Sequence, residues 1–158
     1  MSEEQPKKKI EKMEFSLEME LIDKFSFNVK FDIPEMPDLI TDEPIKVGGE
    51  GKGPNPSRLV GTAVANCLAS SLMHCLRRAK ADVKGFKAQV SGIISRNEEG
   101  LLRLKSIHVA LQPRLGSESD LKAFERCKGI FEKYCIVTDS IRAGLPVDIE
   151  VEPEIEES

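Results

Sequence analysis

The stretch NPSRLVGTAVANC, Asn55 to Cys67, decides how the rest of the chain is read. Asn55 is a strong N-cap, because its short side chain can accept a hydrogen bond from an unpaired first-turn amide. Pro56 suits the first helical position, where an N–H would have no partner. From there Val60, Val64, Cys67, Leu68, Ser71, Leu72, Cys75, Leu76 and Ala79 recur at helical spacing. The other positions hold few polar residues, all small: Thr62, Asn66 and Ser70. A helix of about 25 residues that is apolar or small nearly all round is expected to be buried on most sides, threading a sheet or a subunit interface. Arg77, Arg78 and Lys80 stand where the C-terminal dipole favours cations.

Upstream, MEFSLEMELI alternates Met13, Phe15, Leu17, Met19 and Leu21 with polar partners, and FSFNVKFDI does the same with Phe25, Phe27, Val29, Phe31 and Ile33. This period of two predicts half-buried strands, and Asp23-Lys24 between them is short enough for a hairpin. Pro34 and Pro37 stop the second strand, and a short third one is expected around Pro44–Val47. GGEGKGPNP, Gly48 to Pro56, reads as a flexible approach to the helix; it lacks the GK[ST] ending and preceding apolar strand of a phosphate-binding loop. Downstream, VKGFKAQVSGIISR and LLRLKSIHVALQPR are long strands joined by the turn Asn97–Gly100. GSESD caps a second helix expected from Leu121 to Tyr134, IVTDSIRAG is a short helical turn ended near Gly144, and PVDIEV is a last strand. The expectation is one α+β domain with an antiparallel sheet over residues 13–152, between a disordered charged tail at 1–12 and an acidic tail at 153–158.

A chain of 158 residues suits one domain. Aromatics make up 5%, with no Trp and Tyr134 the single Tyr, and the net charge is −4; neither a base-stacking platform nor a basic footprint for nucleic acid is present. No apolar run is expected to reach the ~18–20 residues of a membrane helix. The Lys7–Lys9 run is followed by no apolar core, so it is not a secretory signal. A cytoplasmic protein is expected, in which four cysteines are not structural disulfides.

Cys67 and Cys75 are eight residues apart, as are Cys127 and Cys135, which is not the CxxC spacing of a zinc or thioredoxin-type motif. A zinc site would need distant elements with His74 or His108 added, so neither a metal nor a cofactor is expected. Cys75 and Cys127 fall on apolar faces and read as buried hydrophobes. Cys67 by residue type would be buried as well, but Gly61, Ala63, Ala65, Asn66, Ala69 and Ser70 around it let a backbone or a ligand approach closely. Cys135 stands at a break between helical stretches, where the amides of Ile136 and Val137 are unpaired donors that favour a thiolate. Cys67 lies too deep in its own helix for that aid, so its activation would require a cation from elsewhere.

The order and spacing of NPSRLVGTAVANC and YCIVTDSIRAGLPVDIEV resemble the OsmC/Ohr family, the osmotically inducible and organic-hydroperoxide-resistance proteins. The resemblance spans residues 13–152. It implies an intertwined homodimer with its long helices packed centrally. It also implies thiol-dependent reduction of organic hydroperoxides, with Cys67 oxidised to a sulfenic acid, Cys135 resolving it as a disulfide, and a dithiol reductant reopening that bond. The chain departs from the family pattern after the Asn-Pro, where Ser57 replaces the usual Glu, and no arginine precedes Arg58 to pair with it. Lys24, Lys30, Lys46 and Lys52 are the alternative cations, and Glu43 and Glu50 the alternative carboxylates. The competing expectations are a non-catalytic site for an apolar or thiol-bearing small molecule and a redox sensor that closes Cys67–Cys135 without turnover.

Overall fold

The computed structural model describes residues 12–156, so the expected tail at 1–12 lies almost wholly outside the described residues. The chain divides into two compact units, one running to Arg58 and one from Leu59.

In the first unit, β1 (Leu17–Asp23), β2 (Ser26–Phe31) and β3 (Leu39–Thr41) form an antiparallel sheet in that order. Lys24 takes a positive φ of 49° at the expected hairpin, and Met19 faces Val29 while Leu21 faces Phe27. Within this chain β1 is not half-buried as its alternation predicts: Leu17, Met19 and Leu21 are all exposed. The third strand is also earlier than expected. Ile45–Val47 is a 3-10 turn, because Pro44 cannot donate a ladder hydrogen bond and Gly48, at φ 99°, closes the turn.

Nor is the glycine-rich segment a loose approach. The Asp42 carboxylate accepts the backbone N–H groups of Glu43 at 2.8 Å and of Glu50 and Lys52 at 3.1 Å each, so the segment is wrapped around a buried acid. The Lys52 amide, followed by those of Glu50 and Glu43, holds Asp42 below the usual carboxylate range against the cost of burial. A Cβ at Gly49 would collide with the Glu43 carbonyl, so the wrap requires glycine there.

Helix α1 (Pro56–Arg78) starts where the sequence places it, with Asn55 Oδ1 accepting the Arg58 N–H at 3.2 Å. Only one face is buried: Gly61, Val64, Ala65, Leu68, Leu72 and Leu76. Thr62, Ala63, Asn66 and Ser70 are exposed, so the expected burial on most sides is absent within one chain. The helix also corrects the expectation that no run could cross a membrane. By length and composition alone it is apolar enough to do so, because its Ala, Cys and Met residues count as apolar without forming a Leu-rich run.

Strands β4 (Val83–Arg96) and β5 (Leu102–Leu115) form a long antiparallel hairpin, with Val90 opposite Val109. Its turn is fixed by Asn97, whose Oδ1 accepts the N–H groups of Leu101 at 2.9 Å and Glu99 at 3.1 Å, with Gly100 at φ 79°. Near the base, β4 and β5 pack Val83, Phe86 and Leu111 against α1; towards the tip Val90, Ile93, Ile94 and Leu102 are exposed. A box formed by Ser117 and Asp120 then leads into α2 (Leu121–Lys128). The second helix is shorter than expected: it stops before Gly129, a 3-10 turn spans Phe131–Tyr134, and α3 (Ile136–Ala143) follows. PVDIEV is not a strand here. A strand needs a ladder partner, none of the described strands supplies one, and Val147, Ile149 and Val151 stay exposed.

Candidate functional site around Cys67 and Cys135

Val64 and Leu68 on α1 close over the buried Cys135, with Ile107, Val109 and Leu111 of β5 and Phe131 and Val137 packed around them. Helical spacing sends Cys67 to the margin of that buried face, where it is half-buried. The break after α2 turns Cys135 in beneath it as the residue preceding α3. Cys67 packs against the cluster that holds Cys135, close enough for Cys135 to raise its pKa. Cys135 in turn donates to the buried Thr138 hydroxyl at 2.9 Å. Cys67 and Cys135 are the chain's two free thiols.

Sequence reasoning placed a helix N-terminus beside Cys135 and assigned its amides to that thiol. The Val137 and Ile136 amides act instead on Cys67, where they favour its thiolate. Cys67 thus gains from α3 the dipole that its own helix cannot provide. The balance still favours the thiol: burial first, then the neighbouring Cys135, push Cys67 above its ordinary 9.0, and the amides of Val137 and Ile136 only oppose this. No sequence signal indicated which sulfur those amides would reach, because the answer depends on how α3 docks on α1.

An open groove of about 690 Å³ runs along the same face of α1, past Val60, Val64, Leu68 and Leu72. Thr138 lines it, and Lys128, Glu132 and Arg142 add charge to its wall. Arg142 is held there by Glu132 at 3.1 Å and Asp139 at 3.3 Å.

The other two cysteines overturn their expected role. Cys75 and Cys127 are joined in a disulfide with their Cα atoms 5.6 Å apart, set among Leu72, Leu76, Phe124 and Phe131. Burial explains why residue type alone suggested packing; the pairing across distant elements explains why spacing gave no warning. Of the alternative charges, Lys24, Glu50 and Lys52 come together in the first unit. The Lys24 ammonium is 2.8 Å from Glu50, Lys52 pairs with its other oxygen, and the two cations bring Glu50 down to about 2, Lys24 contributing most. Arg58 donates to Asn55 Oδ1 at 3.1 Å. Among the described residues no group of three His, Cys, Asp or Glu side chains is arranged to hold a metal ion.

No curated protein matches the chain. Solved structures do. An OsmC-like protein of unknown function from Vibrio cholerae is 14% identical with a TM-score of 0.70, over 82% of this chain and 94% of its own. An OsmC organic hydroperoxide resistance protein and predicted redox protein from Legionella pneumophila is 20% identical at TM-score 0.59, covering 83% of this chain and 92% of that one. A candidate organic hydroperoxide resistance protein from Vibrio cholerae, with captopril bound in one of its active sites, is 19% identical at TM-score 0.59, over 85% of this chain and 89% of that one. At these identities the likeness establishes the α+β fold with its antiparallel sheets and three helices. The family model described as OsmC-like protein matches residues 49–150, from the glycine-rich segment through Cys67 and Cys135. The chain therefore belongs to the OsmC-like protein family.

Proposed function

We propose that this protein is a thiol-dependent hydroperoxide reductase whose reacting pair is Cys67 and Cys135. The observation that carries the reading is that these two free thiols share one packed cluster beside a groove that Val60, Val64, Leu68 and Leu72 line on one side. In the proposed cycle the Cys67 thiolate attacks the outer oxygen of an organic hydroperoxide, breaking the O–O bond to give Cys67 sulfenic acid and, after protonation, an alcohol. The Cys135 thiolate then attacks the sulfenic sulfur, forming the Cys67–Cys135 disulfide as the S–O bond breaks, and the departing hydroxide takes a proton from solvent to leave as water. A dithiol reductant supplies two electrons and two protons to reopen it. Thr138 accepts from the Cys135 thiol, and its hydroxyl can turn to donate to that sulfur once it is a thiolate. Dithiol reductants are maintained in the cytoplasm, which agrees with the location expected from the sequence.

A homodimer belongs to this reading. Residues 13–152 would complete one OsmC-like domain only with a second copy, which would cover the small-residue face of α1, the hairpin tip and the alternating exposed side chains of β1 and Val147–Val151. The raised Cys67 specifically favours a second reading, a redox sensor that oxidises slowly and once. Thiol titration and intact mass, before and after one equivalent of cumene hydroperoxide, test both readings. Rapid loss of two thiols mapped to Cys67 and Cys135, followed by repeated turnover with a dithiol, is expected of the reductase. A single slow oxidation without turnover would leave the sensor, and unreactive thiols in folded protein would remove both. Light scattering on the eluting protein should give the dimer mass; a monomer would refute the assembly.

A further inference from the structure

Both cysteine pairs tie the same two stretches of chain together. Cys67 and Cys75 belong to α1, while Cys127 lies in the last turn of α2 and Cys135 precedes α3, so the seven residues between Cys127 and Cys135 are suspended between the two pairs. That segment has little regular structure to hold it: α2 ends at Lys128, and a single 3-10 turn follows. Its principal anchor between the cysteines is Phe131, which packs against both the cluster holding Cys135 and the one holding Cys127. The two cysteines themselves are almost fully enclosed, at 1% and 2% exposure. Resolution of a sulfenic acid requires a second sulfur within bonding distance, and how often it is there depends on how tightly its chain segment is held.

We propose that the Cys75–Cys127 disulfide is a positioning bond for the Cys67/Cys135 pair: closed, it holds the 128–135 segment against α1 and presents Cys135 to Cys67. This rests on the reading of Cys67 and Cys135 as a reacting pair but adds a role for the other two cysteines. Reduction of Cys75–Cys127 by a dithiol gives two thiols and the oxidised reductant, a two-electron, two-proton exchange, and frees the end of α2. Cys75, half-buried where Cys127 is enclosed, is the sulfur that an incoming thiolate can reach. The control is therefore redox-sensitive: strong reduction would loosen the resolving thiol even while Cys67 stays intact.

The test needs no peroxide chemistry. The protein and its Cys75→Ala/Cys127→Ala variant are equilibrated in glutathione redox buffers at a temperature where circular dichroism shows both folded, and the Cys67–Cys135 disulfide is quantified by alkylation and mass mapping. In the variant, the effective concentration of Cys135 at Cys67 is expected to fall by about tenfold or more. An unchanged midpoint would overturn the proposal and leave Cys75–Cys127 a purely structural bond. If the variant does not fold, the unmodified protein answers in the same buffers: the Cys67–Cys135 midpoint should depend on whether Cys75–Cys127 is closed, and independent titration of the two pairs would overturn the proposal. Peroxide is added afterwards with dimedone, which traps sulfenic acid. Adduct accumulating on Cys67 faster in the variant than in the parent is expected; no adduct in either protein would defeat the reductase reading while leaving the glutathione result standing.

Discussion

The Cys67/Cys135 contact and the Cys75–Cys127 bond join neighbouring stretches of the same elements, yet their surroundings differ in kind. The first pair is set among polar groups: the Thr138 hydroxyl accepts from Cys135, and the amides of Ile136 and Val137 face Cys67. The second is enclosed by Leu72, Leu76, Ala79, Phe124 and Phe131, with no comparable donor among the apolar residues packed there. A thiolate, a sulfenic acid and a departing water all need hydrogen-bond partners, and only the first environment offers them. The second environment suits a bond that opens only under strong reduction, through the half-buried Cys75. Equivalent residue types along one helix are thus divided into chemistry and mechanics by where a four-residue turn and a short helix come to rest.

The strongest way to break this comparison is to remove one sulfur from each pair and measure turnover. Cys67→Ser should abolish dithiol-dependent hydroperoxide consumption, a loss of about a thousandfold or more, because an alcohol is a far weaker nucleophile than a thiolate. Cys135→Ser should permit a single oxidation of Cys67 and then stop. Equal loss from Cys75→Ser and Cys67→Ser would place chemistry at both pairs and defeat the distinction. The pH profile sharpens it. Since Cys67 titrates above 9.0, its alkylation rate should rise roughly tenfold per pH unit from neutrality and level off only above pH 9. A plateau near neutrality would mean that a cation from outside this unit lowers it.

Stability should rank the pairs in the opposite order. The Cys75–Cys127 bond closes a loop with a sequence separation of 52, so removing it should cost about 4 kcal/mol by the chain-entropy estimate. Opening or closing Cys67–Cys135 should matter less to the melting temperature than that. Beside the disulfide, Leu76 is fully buried, and Leu76→Ala should cost about 3 kcal/mol through lost contacts and a residual cavity. A loss under 1 kcal/mol would show that the cluster collapses readily and that the bond alone secures it.

The legibility of these features followed the range of the interactions behind them. The start of α1, the two hairpins and the break at Cys135 depend on caps, turns and alternation within a few residues, and Asn55 and Asn97 announce the first of them. Alternation in β1 and PVDIEV was equally plain, but burial was not its consequence inside one chain: both segments remain exposed because nothing in the described fold covers them. The 3-10 turn at Ile45–Val47 was hidden by residues that favour strands, since Pro44 and Gly48 act only through backbone geometry. Two contacts of long range were beyond reach. The Cys75–Cys127 bond and the approach of the Ile136 and Val137 amides to Cys67 depend on the docking of α2 and α3 on α1, which no local pattern encodes.

The first unit supplies the contrasting case, a site held by charge and backbone amides rather than by sulfur. Gly49→Ala would drive a methyl group into the Glu43 carbonyl and should cost about 2 kcal/mol. Gly51→Ala meets open space, so its cost comes only from the positive φ of 68°, about 1 kcal/mol. Equal losses would mean that the wrap around Asp42 shifts to accommodate a side chain.

The smallest effect concerns Glu50. Lys24 and Lys52 lower its carboxyl from 4.5 to about 2, so it stays ionised when folded at pH values where the unfolded chain takes up a proton. Its contribution is therefore present in full above the unfolded value and is lost as pH falls through about 2. Because all three side chains are substantially open to water, high salt should move the Glu50 titration back towards 4.5. Carbon-detected NMR titration of Glu50 at low and high ionic strength checks this directly. A midpoint near 4.5 at low salt would show that the two lysines do not hold the carboxylate in solution. A low midpoint insensitive to salt would show that water is excluded from the cluster, and Lys24, Glu50 and Lys52 would then have to be covered by something beyond the first unit.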